Sequence, residues 1–211
     1  MRELPKTIIF VTKREDLLQA MPCQNCKFIF FDSGGKLIDL KFVAGQHNPD
    51  LVVLFGTSII LDRDFFTKYR CINIHCSALP YCRGPAPHVW SFLEMVPPAI
   101  TIHYPTETLD SGAIITQKYL DIDYKYFTLN SIYHFLHINA AMLLFDSIQF
   151  ILSDGFDAAP QAENHGTRHF QWQFLALQPI LNAHLHTNLP TLRKIVMEVA
   201  PFEILSYHNQ S

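Results

Sequence analysis

The stretch from Cys71 to Trp90 reads C-I-N-I-H-C-S-A-L-P-Y-C-R-G-P-A-P-H-V-W and is the densest part of the chain in side chains able to do chemistry. Its opening residues read as a buried strand ending in Asn-x-His. Strand alternation puts Asn73 and His75 on the same side, so an amide and a proton-carrying imidazole can face one pocket. In open α/β sheets the ligand crevice lies beyond the carboxyl ends of the strands, where this pair would emerge. A lone strand histidine is more often a satisfied core residue, so the reading depends on its company. That company is Ala99 to Gln117, where an apolar strand leads into a polar loop holding Asp110, and Ser-Gly then turns the chain into a second apolar strand. By itself an Asp before Ser-Gly is an ordinary turn former.

The elements that position these residues are short β-branched and aromatic runs bounded by polar or Gly/Pro stretches. Strands are expected at Thr7 to Val11, Lys27 to Phe31, Leu51 to Phe55, Cys71 to Ile74, Ala99 to Tyr104 and Ala113 to Gln117. Several are apolar throughout, which suits strands covered on both faces. The fold class is therefore α/β, a three-layer sandwich with a mainly parallel sheet. Helices are expected at Arg14 to Met21, Asp62 to Tyr69 and Asn130 to Leu152, the last capped by Asn130 and stopped by Gly155. After Ser153 the composition shifts to Gly, Ala, Asn, Gln and His, and one or two amphipathic helices follow at Phe170 to His186 and Pro190 to Val199. This divides the chain into residues 1–153, a catalytic domain, and 154–211, a linker with a small helical extension. Three uses are open for the extension: a cap, a homodimer contact or a substrate wall.

At 211 residues the chain can form one domain with a proper core, and 49% hydrophobic with 17% charged residues is a globular composition. No run of eighteen or more uninterrupted apolar residues is present, and Ile8 to Val11 is too short for a secretory h-region, so a cytoplasmic protein is expected. A net charge of -3 without long like-charge blocks leaves no electrostatic footprint for nucleic acid. Five cysteines read as reduced thiols; Cys23 and Cys26 form a lone CxxC without a second pair, and Cys76 and Cys82 read as packing residues. His134 with His137, and His184 with His186, lack a third ligand, so no metal is expected.

The two motifs together resemble the folate-dependent formyltransferase family, whose pattern runs Asn-x-His-x-Ser-Leu-Leu-Pro, Arg-Gly, a Trp, then Thr-x-His and an acidic loop ending in Asp-Thr/Ser-Gly. The matching residues are Asn73, His75, Ser77, Leu79, Pro80, Arg83, Gly84, Trp90, Thr101, His103, Asp110, Ser111 and Gly112. The likeness covers roughly residues 50 to 155 and is poor at both ends. It implies a Rossmann-like fold, abbreviated here at the N-terminus. It also implies transfer of a formyl group from 10-formyltetrahydrofolate to a primary amine, with Asn73, His75 and Asp110 as catalytic residues. An amine attacking a formyl carbon creates an oxyanion, which the Asn73 NH2 and a His75 imidazolium would meet, while Asp110 would relay protons. The resemblance further implies a pterin slot lined by main chain from two loops, involving Thr57, Ser58, Ile60, Glu107 and Leu109. Ser77, Arg83 and Gly84 fall on the acceptor side, where an Arg suits a phosphate or carboxylate.

The turn after Thr7 to Val11 has no glycine with which to cradle a phosphate, which argues against a glycinamide ribonucleotide acceptor. The tail after Ser153 is too short and too little basic for the RNA-binding domain of the methionyl-tRNA enzymes. The expected acceptor is therefore a nucleotide-linked amino sugar. The alternatives are a formyltetrahydrofolate hydrolase, a methionyl-tRNA-type enzyme and a folate-binding protein without turnover.

Overall fold

The computed structural model describes residues 5–19, 25–153, 157–162 and 165–205, apart from the side chain of Phe202. Six strands, β1 (Lys6–Thr12), β2 (Cys26–Phe31), β3 (Leu51–Phe55), β4 (Cys71–His75), β5 (Ala99–His103) and β6 (Ile114–Tyr119), form one sheet in the order β2-β1-β3-β4-β5-β6. The pairings of β1 with β2, β1 with β3, and β3 with β4 are parallel. The helices are α1 (Glu15–Leu18), α2 (Leu37–His47), α3 (Arg63–Lys68), α4 (Pro87–Leu93), α5 (Leu129–Leu152), α6 (Gln171–Ala183), α7 (Leu189–Val199) and α8 (Phe202–Leu205). This is the α/β sandwich expected from the apolar runs.

The chain divides into two compact units. The first comprises Met1–His75, Ile102–Thr116 and Ala141–Pro160. Every residue of β3 is buried, because both of its faces are covered. One face of this unit packs Ile9, Val11, Val52, Leu54 and Cys71 against Leu40 and Ala44 of α2, Phe65 of α3 and Tyr69 at its C-terminal end. The alternate residues Ile8, Phe10, Leu51, Val53 and Ile72 point to the opposite face and are also buried. Register places Asn73 beside Leu54, and Leu54 beside Val11, so a polar amide closes a row that is otherwise hydrocarbon.

The second unit comprises Cys76–Thr101, Gln117–Ala140 and Gln161–Ser211. Trp90, Phe92 and Leu93 of α4 and Leu192 and Val196 of α7 are among its buried residues. Arg193 Nε donates to Leu93 O at 2.8 Å. Asn188 caps α7 by accepting from Thr191 N at 3.0 Å.

Helix α5 contributes residues to both units. It is long and apolar enough to cross a membrane by length and composition. Its stripe Ile132, Leu136, Ala140, Leu144, Ile148 and Ile151 is buried within the protein, the mark of a core helix. Its start is fixed by Thr128 rather than Asn130: Ser131 N donates to Thr128 Oγ1 at 3.2 Å and Thr128 N donates to Ser131 Oγ at 2.9 Å. Gly155, expected as its stop, lies outside the described residues. Cys71, Cys76 and Cys82 are free thiols, whereas Cys26 is disulfide-bonded, a departure from the all-reduced expectation.

Candidate active site

Four polar side chains meet within the first unit. Asn73 and His75 come from the last turn-ward half of β4, His103 ends β5, and Asp110 sits in the loop that follows. Asn73 is half-buried, while His75, His103 and Asp110 are only 5%, 1% and 6% exposed. Asn73 Nδ2 lies 3.0 Å from Asp110 Oδ1 and 3.1 Å from His103 Nε2. The other carboxylate oxygen of Asp110 is 3.6 Å from His75 Nδ1. His103 was visible in sequence as part of Thr-x-His, but only the fold shows that it touches the Asn73 amide.

The hydrogen-bond network assigns the protons. A carboxylate oxygen only accepts, so the Asn73 atom facing Asp110 is the NH2 group. His103 Nδ1 lies 2.8 Å from Tyr104 O and donates to it, which leaves the Nε2 lone pair to accept from Asn73. Both amide hydrogens of Asn73 are thus directed at His103 and Asp110. Its carbonyl Oδ1 is on the other side of the amide and offers an acceptor. This differs from the expectation that the NH2 meets an oxyanion, and it leaves His75 as the donor of the set.

The loop carrying Asp110 is held by close backbone contacts. Asp110 itself has φ 54°, in the left-handed region that Asp and Asn tolerate better than most residues. A Cβ on Gly112 would come 1.8 Å from Tyr104 O, so only glycine allows the two segments this approach. Tyr104 N donates to Ala113 O at 3.0 Å, and Thr106 Oγ1 donates to Thr108 O at 2.8 Å.

Two loops of the same unit contain the residues expected at a pterin slot. Thr57 Oγ1 and Ser58 Oγ donate to Ser33 O at 3.2 and 3.4 Å, and Ile59 N donates to Thr57 Oγ1 at 3.0 Å. These hydroxyls therefore fold the loop back on the chain. Ile60 is 72% exposed and Leu109 is also exposed. Arg63, the first residue of α3, and Glu107, both exposed, lie 3.9 Å apart. Exposed apolar side chains beside backbone polar groups fit a flat heteroaromatic ring.

Ser77, Arg83 and Gly84 belong to the second unit. Ser77 is fully buried and its hydroxyl donates to Tyr81 O at 2.9 Å, while Thr101 Oγ1 donates to Ser77 O at 2.7 Å. Gln117 Nε2 donates to Leu79 O and to Thr101 Oγ1, completing a polar knot under the turn, whose Leu79–Pro80 peptide is cis. Ser77 thus shapes the turn from inside. Arg83 is half-buried, and its guanidinium donates to Gln161 Oε1 from Nε at 3.1 Å and from Nη2 at 2.8 Å. Gly84 has φ 103°, and a Cβ there would lie 2.2 Å from His169 O.

Neither cysteine near these motifs is built as a nucleophile. Burial pushes the Cys76 thiol up to about 12, and burial with the neighbouring Glu94 carboxylate pushes Cys82 higher still. Among the described residues, no group of three or more His, Cys, Asp or Glu side chains is arranged to hold a metal ion.

A family model described as formyl transferase matches residues 36–147, more than half of the chain, and spans all four clustered side chains. The chain belongs to the formyl transferase family. Curated formyl transferases similar to it include the methionyl-tRNA formyltransferases of Bacillus subtilis, at 32% identity, and Geobacillus thermodenitrificans, at 33%. Each match covers 122 residues, 56% of this chain and 38% of the relative, so the chain spans well under half the length of these relatives. Among solved formyl transferase structures, PseJ from Anoxybacillus kamchatkensis, in complex with UDP-4,6-dideoxy-4-formamido-L-AltNAc and tetrahydrofolate, superimposes with a TM-score of 0.71 at 24% identity. That match covers 89% of this chain and 97% of PseJ. A sugar N-formyltransferase from Shewanella gives 0.62 at 21% identity, covering 91% and 87%. HypX from Aquifex aeolicus in complex with tetrahydrofolic acid gives 0.64 at 16%, covering 94% of this chain and 35% of HypX. At these identities the structural likeness establishes the shared fold.

Proposed function

We propose that this chain transfers the formyl group of 10-formyltetrahydrofolate to the primary amine of a nucleotide-linked amino sugar. The observation that carries this reading is the convergence of Asn73, His75, His103 and Asp110, within the region matched to the formyl transferase family. In the reaction the amine nitrogen bonds to the formyl carbon, negative charge grows on the formyl oxygen, and the bond to the folate nitrogen then breaks. His75 donates toward that oxygen, the task of a preorganised donor in a water-poor site. Asn73 Oδ1 accepts an N–H of the incoming amine and aims its lone pair. Asp110, hydrogen-bonded to Asn73 and facing His75, takes up the proton lost by the amine, and a proton passes to the departing folate nitrogen. The loops at 57–60 and 106–109 hold the pterin by main chain, with Ile60 and Leu109 against its faces.

A nucleotide sugar as acceptor is supported by the near-complete mutual coverage with PseJ, whose complex contains a UDP-linked formamido sugar. A methionyl-tRNA acceptor is the second reading, favoured by the curated sequence relatives. Incubating the protein with 10-formyltetrahydrofolate and either a panel of nucleotide amino sugars or methionyl-tRNA separates the two. Mass spectrometry should show one sugar gaining a single CO. Formylation of the tRNA alone would favour the second reading, and formate release without any amine would identify a hydrolase.

A further inference from the structure

Residues 57–62 run from the end of β3 to the start of α3, and the contacts that hold them lie within the first unit. At the near end, the Thr57 and Ser58 hydroxyls both hook onto Ser33 O. Ser33 is only 3% exposed and sits in a turn that Asp32 closes, accepting from Gly34 N through Oδ1 at 2.6 Å and from Gly35 N through its carbonyl at 2.9 Å. That turn leads directly into α2.

At the far end, Asp62 uses both carboxylate oxygens. One caps α3 by accepting from Phe65 N at 3.0 Å, and the other contacts Lys41 Nζ of α2. Lys41 starts from a fixed base, because its neighbours Leu40 and Ala44 are fully buried in the core under α2. The turn and helix of one continuous stretch, residues 32–47, therefore grip the loop at both of its ends.

Between the two grips the side chains alternate. Ile59 packs partly buried against the core cluster and Leu61 is a member of it, whereas Ile60 is 72% exposed. Arg63, next to Asp62, lies 3.9 Å from Glu107, so the end held by Lys41 stands beside the 106–109 loop that leads to Asp110. A large apolar side chain held out in water by a fixed loop is favourable for a flat ligand face, since apolar area is buried on binding and little loop entropy is lost.

We propose that Lys41 and Asp62 are positioning residues for the donor: their ion pair, together with the hydroxyl hooks on Ser33, holds the 57–60 loop in the shape that presents Ile60 to the pterin. This rests on the reading that the loop lines a folate slot. Neither residue touches a reacting atom; both act through the loop.

The test is titration calorimetry of the full chain with 5-formyltetrahydrofolate, a stable isomer of the donor. Lys41→Met keeps the length of the side chain and loses its charge. Asp62→Asn keeps an acceptor for Phe65 N and loses the charge on the other side of the pair. Each should weaken binding by about two- to fivefold, the scale of one exposed ion pair. The double variant should bind no more weakly than either single one, because both remove the same contact. Lys41→Arg should restore binding. Lys6→Met is the control: it removes the Lys6–Asp50 pair at the amino ends of β1 and β3 in the same unit, and should leave binding unchanged. A Lys41→Met protein that binds as tightly as wild type overturns the proposal, and so does a Lys41→Arg protein as weak as Lys41→Met. Additive losses in the double variant overturn it as well. Equal weakening by Lys6→Met marks a general loosening of the unit and also overturns it. A wild-type protein that does not bind 5-formyltetrahydrofolate removes the folate reading itself, and the positioning role with it.

Discussion

Asn73 Nδ2 donates to Asp110 Oδ1 at 3.0 Å, joining an amide at the end of one strand to a carboxylate in a loop 37 residues later. This bond sets the polarity of the whole cluster, because it commits the amide hydrogens to the carboxylate side and turns Oδ1 the other way. It also makes Asp110 the charge on which His75 and Asn73 both depend.

Asp110→Asn is a clean probe of that charge, since Asn tolerates φ 54° and the loop can keep its path. The variant should lose formyl transfer by at least about a hundredfold, the scale of a group that handles a proton. His75→Ala should fall by a similar factor. Donor consumption in the presence of acceptor is the measurement, and near-normal turnover in either variant would remove that residue from the mechanism.

His103 acts one step back, through the hydrogen bond its Nε2 accepts from Asn73. A glutamine carbonyl can accept the same bond, and alanine cannot. His103→Gln should therefore retain several times more activity than His103→Ala, about the tenfold worth of one hydrogen bond at most. If the two variants were equally impaired, orientation of the amide would not be the role of His103.

The sheet was legible because its strands are short β-branched and aromatic runs, several of them apolar throughout: Leu51–Phe55 has the bounds expected from sequence, and the others differ by a residue or two at their ends. Helices α2, α4 and the short α8 were not. In α2, Ile38 and Phe42 are apolar yet exposed and Gly45 interrupts the run, so no 3.6-residue stripe stands out. Helix α4 starts between prolines, with Ala86 at φ 53°, and such a stretch reads as a loop. Asn73, His75 and Asp110 were recognisable as types in a motif. The amide polarity and the Glu94–His169 pair, 75 residues apart, depend on tertiary contacts that no local pattern encodes.

Asp16, Asp50 and Asp62 are among the carboxylates that contribute to acid stability. Hydrogen bonding by Arg14 holds Asp16, and by Lys41 holds Asp62, below the ordinary 3.8. At Asp50, burial acts upward but is outweighed by the Thr7 amide and the Lys6 ammonium. A lowered folded-state value means that these groups stabilise the protein fully above 3.8, and that the contribution is lost as pH falls through the folded values. The Tm should therefore drop on acidification from about pH 6 to about pH 3, and Asp50→Asn should reduce the size of that drop. An unchanged drop in Asp50→Asn would show that other groups govern acid unfolding.

Two glycines make opposite predictions from one geometric argument. An added Cβ meets nothing within 4 Å at Gly45, a helical position, so Gly45→Ala should stabilise the protein by about 0.5–1 kcal/mol. At Gly112 the same methyl would sit 1.8 Å from Tyr104 O, and the strand end and the Asp110 loop must part. Gly112→Ala should cost about 1–3 kcal/mol, as overpacking does. Its effect on catalysis should exceed its effect on folding, because Asp110 is only two residues away and a misplacement of about 1 Å is worth about a hundredfold in rate. Thermal unfolding and turnover measured on the same preparations decide it. A Gly112→Ala protein that is as active as wild type would mean that Asp110 does not depend on this contact for its place beside Asn73 and His75.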